Sequence, residues 1–243
     1  MRQFGLIGYP LSHSFSKNYF SKKFIDEGIE GCIYELYPIR SIDELPELLD
    51  TVPDLTGLNV TIPYKESVLP FLNEVSTAVK EIGACNSILV KEGRLIGFNT
   101  DVTGFEKSLL PYLKSHHKRA LILGTGGAAK AVAWVFGKLG IEFSYVSRVA
   151  KGDNFTYAEI NEELIQQYQI IVNSTPLGMQ PNINQLPSLP YPSLNSQFLC
   201  YDLIYNPTKT AFLQKAELFG AVIKNGAEML EIQAEESWKI WNS

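Results

Sequence analysis

Hydrophobic and polar positions along the chain keep two rhythms. Short runs of β-branched and aromatic residues, bounded by Gly, Pro, Asn or Asp, predict strands at 4–8, 32–37, 55–60, 87–90 and 95–98, with Glu92-Gly93 as a hairpin turn between the last two. The same signal recurs at 120–123, 143–146, 170–172, 199–203 and 221–223. Between these runs, apolar residues recur at helical spacing over 16–27, 42–49, 75–82, 103–113, 126–139, 161–167, 209–219 and 227–241. Strands that alternate with helices across short connections predict an α/β fold with mostly parallel sheets covered by helices. The segment 181–195 carries four prolines and reads as a long loop.

The rhythm restarts at Ala120, and a linker is expected near 99–103. Met229, Leu230, Ile232, Ala234 and Trp238 form an apolar face on the last helix, which can pack back on the first half. Two domains are therefore expected: a discontinuous one of 1–101 with 226–243, and a second of 102–225.

Composition narrows the classes. The chain has 243 residues, 45% of them apolar and 19% charged, enough to bury a core in one large or two small domains. A net charge of -5 counts against a nucleic-acid partner. Cys32, Cys85 and Cys200 are few, odd in number and far apart, which fits a reducing cytoplasm better than a disulfide framework. Three scattered histidines and no C-x-x-C give no metal site. The apolar patch at 4–8 is cut short by Pro10 and Ser12, and the stretch 120–137 is broken by Lys130 and four glycines, so neither an export signal nor a membrane span is expected.

Candidate chemistry begins at 124–129, GTGGAA, where a strand runs through glycines into a helix. This is the dinucleotide pattern G-x-G-x-x-G/A: Gly124 for a tight turn, Gly126 for close approach of a pyrophosphate, and Ala129 for close helix–strand packing. Gly127 and Ala128 open the helix, whose N-terminus offers N–H groups to phosphate. The plainer alternative is a structural strand–helix turn. Past the next strand stand Arg148 and Lys151, with no acid before Asp153, so the pattern leans to NADP; the alternative is two solvated surface cations.

Two polar clusters stand at predicted strand ends, where ligands sit in open α/β sheets. Asn59 to Lys65 reads NVTIPYK, and Gly97 to Asp101 reads GFNTD. A lysine and an aspartate brought together there can handle a proton. Taken alone, a surface lysine and a helix-capping aspartate weigh more.

Together these segments resemble the shikimate dehydrogenase family from end to end. The resemblance runs through 8–16 (GYPLSHSFS), 59–65, 83–87 (GACNS), 97–101, 124–129, 173–179 (NSTPLGM), 201–207 (YDLIYNP) and 226–234 (GAEMLEIQA) in that order. It implies reversible reduction of 3-dehydroshikimate to shikimate with NADP as cofactor, in two α/β domains: an N-terminal substrate domain and a Rossmann-like NADP domain, with the site in the cleft between them. By position it implies Lys65 and Asp101 as the catalytic pair. Ser14, Ser16 and Tyr205 fall to the substrate carboxylate, and Asn59, Thr61, Asn86 and Gln233 to its hydroxyls. Gly124, Gly126, Gly127 and Ala128 fall to the pyrophosphate, Arg148 to the 2′-phosphate, and Thr175, Met179, Gly226 and Met229 to the cofactor wall. For Met229 a place in the core competes with contact, for Ser14 or Ser16 a helix cap, for Gln233 a surface amide, and for Asp202 a strand-end hydrogen-bonding role. His13 is read as structural.

Lys17 stands where the family usually has proline, Ser147-Arg148-Val149 replaces Asn-Arg-Thr, and Ser87 replaces threonine. The expected partners are a small-molecule substrate and the cofactor, with no nucleic acid or membrane, in a cytoplasmic monomer or homodimer. Rival readings are a quinate/shikimate dehydrogenase that uses NAD, a reductase of another small hydroxy acid, and a non-catalytic dinucleotide or shikimate sensor on the same fold. The lysine–aspartate pair argues against the sensor.

Overall fold

The computed structural model describes residues 1–11, 15–149 and 152–243. The chain divides into two compact units, Met1–Thr100 with Ala234–Ser243, and Asp101–Gln233.

The first unit contains β1 (Arg2–Ile7), α1 (Phe15–Asp26), β2 (Cys32–Tyr37), α2 (Leu45–Thr51), β3 (Leu55–Val60), β4 (Glu74–Val75), α3 (Thr77–Ile82), β5 (Ser87–Lys91) and β6 (Arg94–Phe98). The sheet order is β2-β1-β3-β5-β6-β4. It is parallel through β2-β1-β3 and at β6-β4, and antiparallel through β3-β5-β6. Glu92 and Gly93 both take positive φ (52° and 72°), the backbone a two-residue hairpin turn needs to match strand twist.

The expected helix at 75–82 begins at Thr77. Ser76 takes extended backbone and its hydroxyl caps the Val79 N–H, while Glu74–Val75 pairs beside β6. Gly83 ends that helix in the left-handed conformation, φ 71°.

The second unit contains α4 (Asp101–Leu109), β7 (Arg119–Leu123), α5 (Gly127–Lys138), β8 (Glu142–Ser147), β9 (Phe155–Thr156), α6 (Glu162–Ile165), β10 (Ile170–Asn173), β11 (Leu199–Asp202), α7 (Ala211–Leu218), β12 (Val222–Lys224) and the start of α8 (Ala227–Trp241). All its strand pairs are parallel, in the order β12-β11-β10-β7-β8-β9. Counted within the unit this is 3-2-1-4-5-6, the doubly wound dinucleotide-binding order. Residues 120–123 and the whole of β10 are buried, as strands covered on both faces must be.

The helix expected at 103–113 starts two residues earlier, at Asp101, and gives way at Leu110–Tyr112 to a 3₁₀ turn around Pro111. The upper boundary also differs from the expected 226. Residues 227–233 pack on α4, where Gly104 leaves room: a Cβ there would lie 2.6 Å from the Met229 carbonyl and 3.2 Å from Gln233 Cβ.

Both cores are apolar. In the first unit Phe4, Phe20, Tyr34, Trp238 and Trp241 interlock, with the Phe20 and Tyr34 rings stacked at 4.7 Å and Phe4 on Trp241 at 5.1 Å. Trp241 lies flat on β3: a Cβ on Gly57 would come within 2.5 Å of its indole, whose N–H donates to the Ile88 carbonyl at 3.0 Å. In the second unit the core gathers Leu121, Leu123, Ile171, Phe198, Phe212 and Leu213 beneath the parallel strands.

Candidate active site

In the second unit, chain order reverses between β7 and β10, the switch point where open α/β sheets bind ligands. The glycine turn leaves β7 there. Gly124 has φ +104°, and a Cβ on it would meet Ser174 Oγ at 2.8 Å and Thr175 Cγ2 at 3.2 Å, so both backbone and space demand glycine. Gly126 is the N-cap of α5, with no side chain capping the helix, and a Cβ on it would meet nothing within 4 Å. The first helical bond runs from Lys130 N–H to the Gly126 carbonyl. The N–H groups of residues 127–129 therefore face the helix end, where the dipole favours an anion. Ala129 is fully buried and Ala128 half-buried. An uncapped helix end facing open space fits the diphosphate of a dinucleotide.

Thr175 follows β10 beside Gly124. Its hydroxyl donates to Asn173 Oδ1 at 2.6 Å and accepts from the Leu177 N–H at 3.3 Å. Arg148 follows β8 and is exposed; its charge reaches Tyr157, whose phenol burial holds above its ordinary range. Lys151 lies outside the described residues. Met179 is exposed at 47%.

Two residues assigned to the cofactor wall have packing reasons of their own. Met229 is buried against α4, and a Cβ on Gly226 would lie 2.1 Å from the Leu203 carbonyl oxygen. Gln233 is buried too, its Nε2 donating to the Leu230 carbonyl at 2.9 Å. Tyr205 is half-buried in the loop after β11, and burial pushes its phenol up.

Asp202 is a structural hub at the end of β11. It accepts from Asn173 Nδ2 (3.1 Å), the Ile204 N–H (3.0 Å) and the Thr210 hydroxyl (2.5 Å), and Thr210 caps α7. Burial outweighs these bonds and pushes its carboxyl up to about 6.

In the first unit the polar residues gather at the ends of β3, β5 and β6. Asn59, 4% exposed, accepts at Oδ1 from Tyr34 Oη at 2.8 Å. Its Nδ2 donates to the Asn86 carbonyl (3.3 Å) and to Ser237 Oγ (3.0 Å). Asn86, 3% exposed, accepts at Oδ1 from the Thr100 N–H (2.6 Å), and its Nδ2 donates to Thr100 Oγ1 (3.0 Å). Ser16, on the first turn of α1, shares a hydrogen bond with the Tyr34 phenol, whose pKa burial raises strongly. Asn99 Oδ1 and Ser87 Oγ are buried without a partner among the described residues.

Thr61 follows β3, with its N–H on the Ile7 carbonyl at 3.0 Å. Lys65 is half-buried in the next turn, and its carbonyl accepts from the Cys85 N–H at 2.7 Å. Asp101 heads α4 and is 6% exposed. Ser14 and His13 lie outside the described residues.

The structure thus joins Ser16, Asn59 and Asn86 through Tyr34 and an amide cluster, and joins Gly124, Gly126, Gly127 and Thr175 around one turn. The sequence reading gave no role to Tyr34, Ser237 or Thr100, although Thr100 lies inside the polar stretch 97–101. A signal existed for Ser237: the buried positions 229, 233, 237 and 241 of α8 recur every four residues, and two of them are polar. Among the described residues no three His, Cys, Asp or Glu side chains group to hold a metal ion, and no helix is long and apolar enough to cross a membrane.

Residues 6–88 match the shikimate dehydrogenase substrate binding domain. The shikimate dehydrogenase (NADP(+)) of Carboxydothermus hydrogenoformans is 38% identical over 98% of this chain and 90% of its own length. The crystal structure of shikimate dehydrogenase 1 from Peptoclostridium difficile superposes with a TM-score of 0.85 at 36% identity, over 100% of this chain and 92% of that one. That of the Thermus thermophilus shikimate 5-dehydrogenase, in complex with NADP(H) and shikimate, gives 0.88 at 31% identity, over 99% and 93%. Similarity of this extent, covering both units, makes the chain a member of the shikimate dehydrogenase family.

Proposed function

We propose that this chain catalyses the reversible NADPH-dependent reduction of 3-dehydroshikimate to shikimate in aromatic amino-acid biosynthesis. What carries the reading is near-full-length similarity to relatives named for that activity, in a chain that keeps the lysine, the aspartate, the strand-end amides and the open glycine turn.

Substrate binding falls mainly to residues 1–101 with 226–243, and cofactor binding mainly to 102–225. The N–H groups at the start of α5, with Gly124, Gly126, Gly127 and Ala128, receive the diphosphate, and Arg148 forks onto the 2′-phosphate. Thr175 and Met179 line the approach to the nicotinamide, with Gly226 and Met229 forming the wall behind. When bound, the cofactor supplies a hydride to the ketone carbon. Lys65, as ammonium, gives its proton to the ketone oxygen as negative charge develops there, and takes it back in the reverse direction. Asp101 orients that ammonium and the neighbouring substrate hydroxyl. Ser14, Ser16 and Tyr205 hold the carboxylate, while Asn59, Thr61, Asn86 and Gln233 pair with the ring hydroxyls. An analogue lacking one hydroxyl would leave buried groups unpaired, so the wall discriminates strongly. The three free cysteines accord with a cytoplasmic setting, and a monomer or homodimer suffices because each chain carries the full residue set.

The test is absorbance at 340 nm with shikimate or quinate and NADP or NAD. NADPH formation from shikimate, with quinate slow, is the expected result. Turnover of quinate with NAD would move the chain to a broader specificity. No turnover in folded, NADP-binding protein would leave a sensor as the working reading.

A further inference from the structure

We propose that Ser237 on α8 and Tyr34 on β2 are positioning residues that hold Asn59 as an acceptor-only partner for the substrate. This rests on the substrate role proposed for Asn59. An asparagine amide has two N–H donors and an oxygen with two lone pairs. At Asn59 both donors are directed inward, one to the Asn86 carbonyl and one to Ser237 Oγ. One lone pair of Oδ1 receives the Tyr34 hydroxyl proton. One acceptor site is left, so Asn59 recognises a hydroxyl that donates to it.

The backbone carbonyl of Asn86 can only accept, which fixes which end of the amide faces inward. Ser237 adds a second acceptor there and also lies 3.2 Å from Thr100 Oγ1, the group that holds the Asn86 side chain. A single fully buried hydroxyl on α8 therefore touches the supports of both amides. Tyr34 reaches the same amide from the far side, its ring clamped by Phe20. Neither residue is assigned to the substrate: Ser237 acts through Asn59 and Thr100, and Tyr34 acts through Asn59 and the hydrogen bond it shares with Ser16.

In Ser237→Ala one buried Asn59 N–H loses its partner, and the inward end of the amide is held by the Asn86 carbonyl alone. The shikimate KM is expected to rise ~10-fold, with the NADP KM unchanged within about twofold and kcat falling less than KM rises. Ser237→Thr keeps the hydroxyl and should restore most of the affinity. Tyr34→Phe keeps the ring and should reproduce the rise in shikimate KM, which keeps the proposal testable if the alanine variant folds poorly. A purely structural role would lower the active fraction and the melting temperature while leaving the shikimate KM in place. That outcome, or equal rises in both KM values, overturns the proposal. The parent protein reports on the underlying reading separately: if it turns over no shikimate, both fall.

Discussion

The two strand-end surfaces proposed for cofactor and substrate are built in opposite ways. Around Gly124–Gly126 the chain offers backbone and empty space: one glycine forced by φ and crowding, another with nothing near its missing side chain, and a helix end without a cap. Around Asn59 and Asn86 it offers buried side chains, whose orientation is fixed by neighbours drawn from β2, α8 and the turn after β6. A diphosphate is the same in every dinucleotide, so bare N–H groups suffice for it. A polyhydroxylated ring is recognised by which atoms donate and which accept, and that demands amides that cannot turn.

The contrast can be tested by substitution. The largest effect is expected at Lys65: Lys65→Ala should lower kcat by ~10³-fold while NADP binding, followed by fluorescence titration, barely changes. Retained turnover would remove the proton-handling role. Arg148→Ala should raise the NADP KM by roughly 10–100-fold and leave the NAD KM near its parent value, because only NADP carries the phosphate the guanidinium meets. Equal effects on both would return Arg148 to the surface cations.

Gly126→Val asks whether the open space belongs to the ligand. With φ at -79° and no neighbour within 4 Å, the melting temperature should fall by no more than a few degrees, the cost of valine at a helix N-cap, while the NADP KM rises ~10-fold. A fall in stability with the KM unchanged would make the gap a packing feature.

The smallest effect is a pH dependence at Asp202. Its carboxyl is pushed up to about 6 in the fold, against 3.8 ordinarily. Between these values the folded state holds the proton that the unfolded state loses, so this group's contribution to stability falls as pH rises. The melting temperature of Asp202→Asn, measured against the parent from pH 4 to 6.5, should shift by a few degrees in favour of the variant as pH rises. A pH-independent difference would show that Asp202 titrates as an ordinary carboxyl.

What the sequence made legible follows the same division. The glycine turn is six consecutive residues between a buried strand and an apolar helix, and its chemistry is local, so reading it needs only periodicity and φ preferences. The amides were reached through motif resemblance, but their supports were not. Tyr34 on β2, Thr100 in the turn after β6 and Ser237 on α8 lie far apart in sequence, and nothing local marks an aromatic hydroxyl or a helical serine as a partner of Asn59. β9 escaped notice because two paired residues carry no period. The helix begins at Thr77 and not at Val75 because, although Val75 continues the apolar pattern, Ser76 caps the helix after it. Asp202 offered a choice between ligand and scaffold that only its three bonds decide for the scaffold.

The seat of Trp241 on Gly57 also orders events in time. The second unit is contiguous from 101 to 233, so every residue it needs has been synthesised before residue 234 is added. The first unit begins earlier yet lacks its central indole until residue 241 leaves the ribosome. The inserted unit is thus free to fold first, and the strands that precede it wait for the helix that follows it. A nascent chain of residues 1–233, followed by a linker long enough to clear the exit tunnel, should protect the second unit from protease and leave 1–100 open to cleavage, and removing residues 241–243 should cost the first unit far more than three residues usually cost a protein.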